Sequence, residues 1–536
     1  MELEQWKPRV ELTEREEKLM GRLRKSRRLF AFLRERRHEL FDDAFQRELS
    51  SMYRETGAGS PPIAPAVLAM VVLLQAYMRT SDAEAVELTV VDLRWQLVLD
   101  RLGESDPLCS QGAIQDFRER MIAHEMDRRM LERTAEIARR THAVDAKKVP
   151  KTVRVAMDSM PLEGAGRVED TFNLIAHAAR RVADCAAAIL ERSFDDVCRD
   201  ARVPMLAASS AKKWLDIDWS NADAKADALQ RLVAQVERLV QWVERRLGTE
   251  ADAPPMSDRL ETLQQVLSQD LEPDPDGGQR IREGVAPDRR VSIEDPEMRH
   301  GRKSKSKRFN GYKRHLAGDL DTGVILAVAV TPANRPEDEA APTLRDDVAR
   351  QRLTIAELHV DRGYINSCVV EEVREAGRVV ICKPWMGRNS HVGMFGKRNF
   401  DVNVRRLTIT CPAGETQPFQ TGEVVEFEPE ACDRCDLRER CTMASPGRGR
   451  TVRIAEDEAL QHDLRKLQTT QSGRARLRQR VGIEHSLAHV AQRQGRRARY
   501  RGVRRNVFDL RRVAAVQNLE NAQRRHQLNC EIANAA

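Results

Sequence analysis

One acidic residue and a run of arginines lie close together near the C-terminal end of the sequence. In RARLRQRVGIEHSLAHV, apolar residues recur at helical spacing around Glu484, so the pattern predicts a single helix. Arg480 precedes Glu484 by four residues and is therefore expected one helical turn away on the same face. We expect Glu484 to bind a metal ion and the arginines that follow to bind phosphate. These arginines are Arg493, Arg496, Arg497, Arg499, Arg501, Arg504 and Arg505.

Two further acids lie at segments whose pattern predicts β-strands. Asp158 lies near the end of KKVPKTVRVAMDSMPLEG, and Asp361 ends the apolar part of LTIAELHVDRGYIN. Neighbouring strands of one sheet can hold both carboxylates side by side, and a helix packed across the sheet can bring Glu484 to the same point. Taken singly, each acid has an ordinary explanation, because aspartates often cap turns and most helix glutamates face water.

The three acids together predict a metal site. Clustered carboxylates repel one another unless a cation neutralises them. Mg²⁺ (or Mn²⁺) prefers oxygen ligands and is usually held by a few carboxylates together with substrate phosphate. Two such ions about 4 Å apart activate a water or hydroxyl on one side of a phosphodiester and stabilise the leaving oxygen on the other. We therefore expect Asp158, Asp361 and Glu484 to be the metal ligands.

A second basic stretch lies in the middle of the chain, in HGRKSKSKRFNGYKRH. Counter-charges are nearly absent within it and within the C-terminal arginine run. We therefore expect both stretches to bind phosphate, with an affinity that falls as salt rises and that carries little sequence information. The basic residues of this stretch are Arg302, Lys303, Lys305, Lys307 and Arg308.

Four of the 10 cysteines lie in a loop-rich stretch: Cys411, Cys432, Cys435 and Cys441. A Cys-x2-Cys pair with two flanking cysteines is typical of a structural, tetrahedral Zn²⁺ site. Zinc would fold a segment that otherwise lacks a core. The alternative is four unrelated thiols, since the spacing is irregular and Cys382 could take one ligand position.

The elements before the first aspartate are predicted to be helical. Residues 1–60 predict a charged lead-in, for which solvated helices are favoured over a dedicated DNA contact. Residues 61–145 predict three helices, with Ser81 as the N-cap and Gly103 as the C-cap of the second. This unit is either a helix-turn-helix DNA-binding domain or an ordinary bundle that only packs.

The rest of the chain alternates strands and helices, which predicts an α/β domain with two insertions. The predicted segments are an α/β domain made of 146–169, 291–384 and 451–520, a helical insertion at 170–290, a Cys-rich insertion at 385–450 and a polar C-terminal tail at 521–536. The insertion contains one apolar helical stripe, from Leu229 to Leu247, which predicts core packing or a dimer seam.

Composition narrows the class of protein. The chain has 536 residues, 41% of them hydrophobic, and a formal net charge of +7. Aromatic residues are only 4%, so base stacking is not expected to be the main binding mode. No signal peptide is visible, and the longest apolar run, from Ala66 to Leu74, is far short of the ~20 residues of a membrane helix. We expect a soluble protein of the reducing cytoplasm, associated with the nucleoid and not with membranes.

At these residues the chain resembles the DDE transposases of bacterial insertion sequences. VAMDSM resembles the family's first-aspartate strand, LHVDRGYIN its second-aspartate strand, and RVGIEHSLAHV with the later RYRG and AAVQNLE its glutamate helix. PPIAPAVLAMVVLLQAYMRTSDAEAVELTVVDLRW with IQDFRERM is similar to the family's N-terminal helical domain. The resemblance covers most of residues 50–520. It implies a ribonuclease-H-like mixed sheet with a helical insertion, preceded by an all-α domain.

The resemblance also implies the chemistry. Asp158, Asp361 and Glu484 would be the catalytic, metal-binding triad, which cleaves at the element's ends and directs the freed 3′-hydroxyl onto target DNA. Related transposases read Tyr-x2-Arg-x3-Glu-x6-Lys in the glutamate helix. Arg480 and Glu484 match this pattern, so Arg480 is expected to contact DNA. Leu477 and Ala491 replace the tyrosine and the lysine, and Arg493 or the arginines after it could substitute for the lysine.

The implied partner is double-stranded DNA, both element ends and target, and pairing two ends implies a homodimer. Two alternatives remain. One is a catalytically inactive DNA-binding protein derived from a transposase, and the other is a metal-dependent nuclease without strand transfer.

Overall fold

The computed structural model describes residues 4–24, 27–53, 62–143, 145, 148–304, 306–385 and 393–535. Lys305 lies outside the described residues. The helices up to residue 143 are α1 (Glu14–Gly21), α2 (Arg28–Leu40), α3 (Asp43–Ser50), α4 (Pro65–Met78), α5 (Asp82–Val91), α6 (Leu93–Leu99), α7 (Gln111–Ala123) and α8 (Met126–His142).

The N-terminal helices are shorter than predicted because polar side chains cap new starts within them. Ser81 caps α5 as expected, but Asp92 then accepts a hydrogen bond from the backbone N–H of Arg94 and begins α6. The predicted second helix is therefore two helices. It ends at Asp100 in the left-handed conformation, so the prediction of Gly103 as its cap was wrong. The predicted third helix is likewise split into α7 and α8.

The lead-in is not a solvated pair of helices, which corrects the favoured interpretation of residues 1–60. Phe30, Leu33 and Phe45 are almost completely buried. They belong to the same apolar cluster as residues of α4, α8 and the strands of the main sheet. Burial of such side chains is worth about 1.5–3 kcal/mol each, so the lead-in is an integral part of the main core.

The first strand of the main sheet and the helical insertion follow. Their elements are β1 (Thr152–Glu163), α9 (Thr171–Ile189), α10 (Phe194–Asp200), α11 (Pro204–Ala207), α12 (Ala211–Leu215), α13 (Ala222–Leu247), α14 (Met256–Asp270), β2 (Leu271–Pro273) and β3 (Gln279–Ile281). The apolar stripe of α13 packs against α9, and it belongs to a separate hydrophobic cluster that also contains residues of α14. This confirms the core-packing interpretation of the stripe.

The main sheet is completed by β4 (Arg299–Arg302), β5 (Arg308–Asp319), β6 (Ile325–Pro332), β7 (Thr354–His359) and β8 (Val379–Ile381), with α15 (Ala341–Arg350) and α16 (Cys368–Glu375) between strands. The strand order is β4-β5-β1-β7-β8, and β6 also pairs with β5. β1 is antiparallel to β5 and parallel to β7. The sheet is thus mixed, as the ribonuclease-H-like prediction required.

The Cys-rich insertion consists of short elements: β9 (Asp401–Asn403), β10 (Thr408–Thr410), β11 (Thr416–Pro418), β12 (Val424–Glu426), α17 (Pro429–Asp433), α18 (Arg438–Cys441) and β13 (Thr451–Arg453). The expectation that this segment lacks a core was wrong. Phe400, Ile409, Phe427 and Ile454 form a small hydrophobic cluster of their own.

The C-terminal helices are α19 (Glu458–Thr469), α20 (Gln471–Gln479), α21 (Val481–Gln494) and α22 (Val503–Ala535). The predicted single helix around Glu484 is two helices, α20 and α21, which meet at Arg480. α22 packs against α8 and β6. It continues through the predicted tail at 521–536 as far as Ala535, so no structural boundary falls at residue 521. In the described part of the chain, no helix is long and apolar enough to cross a membrane.

Candidate active site and nucleic-acid interface

Asp158 lies in the middle of β1, not at its end as the sequence suggested. It pairs in register with Leu316 of β5. Its side chain is 13% exposed. One carboxylate oxygen accepts the backbone N–H of Ser159 at 2.8 Å, and the other accepts Nη1 of Arg480 at 2.8 Å. The length of β1 therefore places this carboxylate on the sheet surface and not in a terminal loop.

Asp361 follows β7 and is brought beside Asp158 by strand pairing. Ala156 of β1 is in register with His359 of β7, and two further residues along each chain reach Asp158 and Asp361. Asp361 caps the 3-10 turn Arg362–Tyr364, since its Oδ1 accepts the backbone N–H of Arg362 at 2.7 Å. The prediction that two neighbouring strands carry these aspartates is confirmed.

Glu484 reaches the same place from α21, which packs on β1 and β5. Ile483 is buried against Gly318, where an added Cβ would lie 2.8 Å from its Cδ1. This glycine therefore allows the helix to approach the sheet closely. The Glu484 side chain is 48% exposed, and its Oε1 accepts Nη2 of Arg480 at 2.7 Å.

The three acids affect one another electrostatically. Burial raises the pKa of Asp158 to about 6, against the opposing effect of the Arg480 guanidinium, and the nearby carboxylates of Asp361 and Glu484 raise it further. The site therefore favours a positive charge. At present Arg480 supplies that charge, because its guanidinium bridges Asp158 and Glu484.

The donor set suits a hard divalent cation, since it consists of carboxylate oxygens. As the side chains lie, no group of three or more potential ligands among the described residues already forms a metal-binding arrangement. Arg480 lies between two of the three carboxylates. A cation bound by these carboxylates would therefore compete with Arg480 for their oxygens.

A small cleft beside Asp361 contains two residues of the related glutamate-helix pattern. It is lined by Asp361, Lys383, Leu477 and Arg480, among others. Leu477, at the family's tyrosine position, is therefore at the site but has no polar atom to offer a phosphate. The exposed Lys383 was missed by the sequence analysis. A lysine directly after a short strand carries no recognisable signal.

The C-terminal arginine run, Arg493 to Arg505, is paired within the protein. Arg493 makes two hydrogen bonds to Glu520, and Arg504 makes two to the buried Asp127. Sequence-distant partners therefore supply the counter-charges that were absent from the run itself. The remaining pairs are Arg496 with Glu163, Arg497 with the carbonyls of Gly164 and Ala165, Arg499 with the carbonyl of Thr80, Arg501 with Glu294, and Arg505 with Glu119.

The arginine run joins four parts of the molecule: the N-terminal helices, the end of β1, the segment before β4 and the middle of α22. Its backbone also bonds to β1, since the N–H of Glu163 donates to Arg496 and the N–H of Ala498 donates to Glu163. Arg493 is committed to Glu520, which weakens the suggestion that it replaces the missing lysine. Arg496, 85% exposed, keeps an accessible guanidinium. DNA binding by this run stays a prediction.

The connection from the end of β4 to the start of β5 has the opposite character, and we call its described residues, 302–304 and 306–308, the basic hairpin. Its described basic side chains are exposed and make no ion pair or side-chain hydrogen bond among the described residues. They are Arg302, Lys303, Lys307 and Arg308. The hairpin extends the sheet beyond the end of β1. Arg308 lies eight strand residues from the register position of Asp158, or about 27 Å at ~3.4 Å per residue.

Helix α7, in the unit for which a helix-turn-helix domain was one of two alternatives, presents few basic groups. Arg118 pairs with Asp82, and Arg120 stacks on Tyr53. Its exposed residues include Gln115 and Asp116. Of the two alternatives for this unit, the arrangement favours a helical bundle that packs.

The four predicted zinc ligands line one pocket, together with Phe395, Arg438 and Arg450. Burial raises the pKa of Cys441, and Cys432, Cys411 and Cys435 raise it further. Cys382 is not part of this group. It is buried beside Asp361, and burial raises its pKa to about 12.

Two backbone N–H groups point at sulfur atoms of the pocket: Leu437 donates to Cys435 and Arg450 donates to Cys432, at 3.4 and 3.5 Å. Such bonds favour the thiolate form that binds zinc. The described thiols do not yet meet around one point.

Two family models match the chain. One, described as a transposase DDE domain, matches residues 286–519, and the other, described as a transposase domain (DUF772), matches residues 21–120. Asp361 and Glu484 lie inside the first match, and Asp158 lies outside both. The second match runs across residue 60, in keeping with the shared core of the N-terminal helices. Neither the comparison with curated proteins nor that with solved structures gave a match.

Proposed function

Because this chain belongs to the DDE transposases of insertion sequences, we propose that it cuts the ends of its element and joins the freed 3′-hydroxyl to target DNA. The observation that supports this proposal is that Arg480 bridges the carboxylates of Asp158 and Glu484, while the pairing of β1 with β7 brings Asp361 beside Asp158. The carboxylates of Asp361 and Glu484 both raise the pKa of Asp158. Their oxygens are a suitable donor set for Mg²⁺ or Mn²⁺.

Each acid has a defined part in this proposal. Asp158 and Asp361 would hold a divalent metal from the sheet side, and Glu484 would complete the site from α21. The chemistry that such a metal would supply is activation of a water or hydroxyl and stabilisation of the leaving oxygen of the phosphodiester. Arg480 must first give up its bond to Asp158 or Glu484, and a substrate phosphate is the natural new partner for its guanidinium.

Two features support DNA as the ligand of this face. The basic hairpin offers unpaired cations at a distance equivalent to about eight base pairs of duplex, at ~3.4 Å per pair. Lys383 and Arg480 line the cleft at Asp361. We propose that duplex DNA runs from the acid site towards the hairpin, and that a homodimer in the nucleoid pairs two element ends.

The direct test uses a duplex taken from the DNA flanking the gene, incubated with the protein, Mg²⁺ and a supercoiled plasmid. Cleavage of the duplex end followed by joining to the plasmid is the expected result. Cleavage without joining would leave a metal-dependent nuclease. Binding without cleavage would leave an inactive DNA-binding protein.

We also propose that Cys411, Cys432, Cys435 and Cys441 hold one structural Zn²⁺. Their shared pocket and the two N–H···S bonds support this assignment. Metal analysis of the purified protein is expected to find one zinc per chain, and Cys435→Ser is expected to lose it. Cys382→Ser is the matched control and retains zinc. A protein free of zinc that melts at the same temperature with and without added Zn²⁺ would contradict the assignment.

A further inference from the structure

A fourth carboxylate, Glu337, lies beside the two aspartates and is not one of the three acids. It directly precedes the 3-10 turn Asp338–Ala340, in the connection from β6 to α15. The hydroxyl of Ser159 donates a hydrogen bond to its Oε1 at 2.6 Å. Since Ser159 follows Asp158 in β1, Glu337 is attached to the strand that carries the first aspartate.

The same carboxylate also lies against the turn that carries Asp361. A Cβ added to Gly363 would come within 2.1 Å of Oε2 and 3.0 Å of Cδ of Glu337. Only glycine therefore permits this close approach. The two 3-10 turns, Asp338–Ala340 and Arg362–Tyr364, pack together. One side chain thus contacts both segments from which the aspartates extend.

A buried polar network continues from this contact into the sheet. Tyr364 is completely buried and hydrogen-bonds to Nδ1 of His315 at 2.6 Å. The Nε2 of His315 lies 2.9 Å from the hydroxyl of Thr331. A buried network whose members are all bonded fixes the positions of its side chains.

The network itself carries no charge near neutral pH. Burial lowers the pKa of His315 to about 3, and burial followed by the carboxylates of Glu337 and Asp158 raises the pKa of Tyr364. Glu337 is the charged group at its edge, half-buried between the two aspartate segments. Its two oxygens already face Ser159 and Gly363.

We propose that Glu337 is a positioning residue that sets the distance between Asp158 and Asp361 and so tunes divalent-metal binding; this rests on the proposed function. It acts through Ser159 and Gly363 and does not bind the metal itself. Groups that orient metal-binding carboxylates typically change metal affinity by about 10–100-fold when they are removed.

The test is Mn²⁺ binding to the full-length protein without DNA, measured by isothermal titration calorimetry. Glu337→Gln is expected to raise the Mn²⁺ Kd by about 10-fold or more, with the number of bound ions and the melting temperature unchanged. Glu339→Gln is the matched control, because Glu339 is exposed and has no hydrogen-bonding partner among the described residues. It leaves the Kd unchanged.

Ser159→Ala provides a second, independent variant that keeps the carboxylate and removes only its bond to β1. It is expected to weaken Mn²⁺ binding in the same direction, and the double variant is expected to add little, because both changes break one interaction. If Glu337→Gln lowers the melting temperature, the Mn²⁺ Kd of Ser159→Ala decides whether Glu337 has the positioning role.

The outcomes separate the two proposals. A wild-type protein that binds no Mn²⁺ overturns the proposed function and this inference with it. Wild-type binding together with an unchanged Kd in Glu337→Gln and Ser159→Ala overturns the positioning role alone. Loss of a whole equivalent of Mn²⁺ in Glu337→Gln would make Glu337 a ligand and also overturn that role.

Discussion

The two basic segments look alike in the sequence and differ in the structure. The C-terminal arginine run is paired with acids and carbonyls from four parts of the molecule, including Asp127, which is buried in α8, and Glu520 on α22. The basic hairpin has no such partners among the described residues. Local charge density thus does not distinguish cations that hold a protein together from cations that are available to DNA, because the partners lie far away in sequence.

The largest expected effect is a loss of stability when a buried partner of the arginine run is removed. Asp127 is fully buried and bonds to Arg504 and Arg511. Asp127→Ala removes the buried carboxylate shared by both guanidinium groups and leaves the buried Arg511 paired only with Asp347, at 3.4 Å, in the described part of the chain, so it is expected to lower the free energy of unfolding by about 3 kcal/mol. Urea unfolding followed by circular dichroism measures this.

The matched control within the same run is Arg505→Ala. Its ion pair with Glu119, at 3.2 Å, is exposed on both sides, so the change is expected to stay within about 1 kcal/mol. Equal losses in the two variants would break the distinction between buried and exposed pairs.

The second-largest expected effect is a loss of DNA affinity when the basic hairpin is changed. Replacing Arg302, Lys303, Lys307 and Arg308 together by alanine is expected to weaken duplex binding roughly 100-fold at 0.2 M salt. The slope of log affinity against log salt is expected to fall by about 0.9 for each lost phosphate contact. The free energy of unfolding should change by no more than about 0.5 kcal/mol, as is usual for substitutions of exposed residues.

Fluorescence anisotropy at several salt concentrations measures both quantities. A hairpin variant that binds DNA with the wild-type slope, or that unfolds markedly earlier, would show that the two basic segments do not differ in the way the structure suggests.

Arg480 differs from both basic segments. It is paired within the protein, as the arginine run is, but its partners are the candidate metal ligands. Arg480→Gln removes the cation that now bridges Asp158 and Glu484. It is therefore expected to tighten Mn²⁺ binding in the absence of DNA by about 10-fold, as expected from the loss of charge-assisted hydrogen bonds. Calorimetry at pH 8 measures it. Weaker Mn²⁺ binding in this variant would argue against competition between the arginine and the metal.

The smallest effect tests whether part of the arginine run still reaches DNA. Arg496 pairs with Glu163 but remains largely exposed, and such a pair is weak. Arg496→Ala is expected to reduce DNA affinity by only a few fold, with a salt slope lower by about 0.9. An unchanged slope would assign the whole run to structure.

Much of the candidate site could be predicted because its signals are local. Apolar segments ending near Asp158 and Asp361 predicted two strands, and helical spacing placed Glu484 on a helix. The position of Asp158 within its strand could not be predicted, since β1 continues past it by pairing with β5. The break at Arg480 was hidden as well, because the apolar period runs through it.

Other features depended on contacts between distant parts of the chain. The burial of Phe30 and Leu33 in the lead-in depends on α6, α8 and α22, which pack against α2. Glu337 was invisible in sequence because its partners, Ser159 and Gly363, lie in different segments. The counter-charges of the arginine run were hidden for the same reason.

The most direct test of the account is single-turnover cleavage of an element-end duplex in Mg²⁺ by Asp158→Ala, Asp361→Ala and Glu484→Ala, each compared with wild type and with Glu339→Gln. The account predicts that every triad variant binds the duplex but cuts it at least about 10³-fold more slowly, because each removes a metal ligand needed for charge stabilisation, whereas Glu339→Gln cuts normally. A Glu484→Ala protein that cuts at the wild-type rate would contradict the convergence of these three carboxylates on one catalytic metal site.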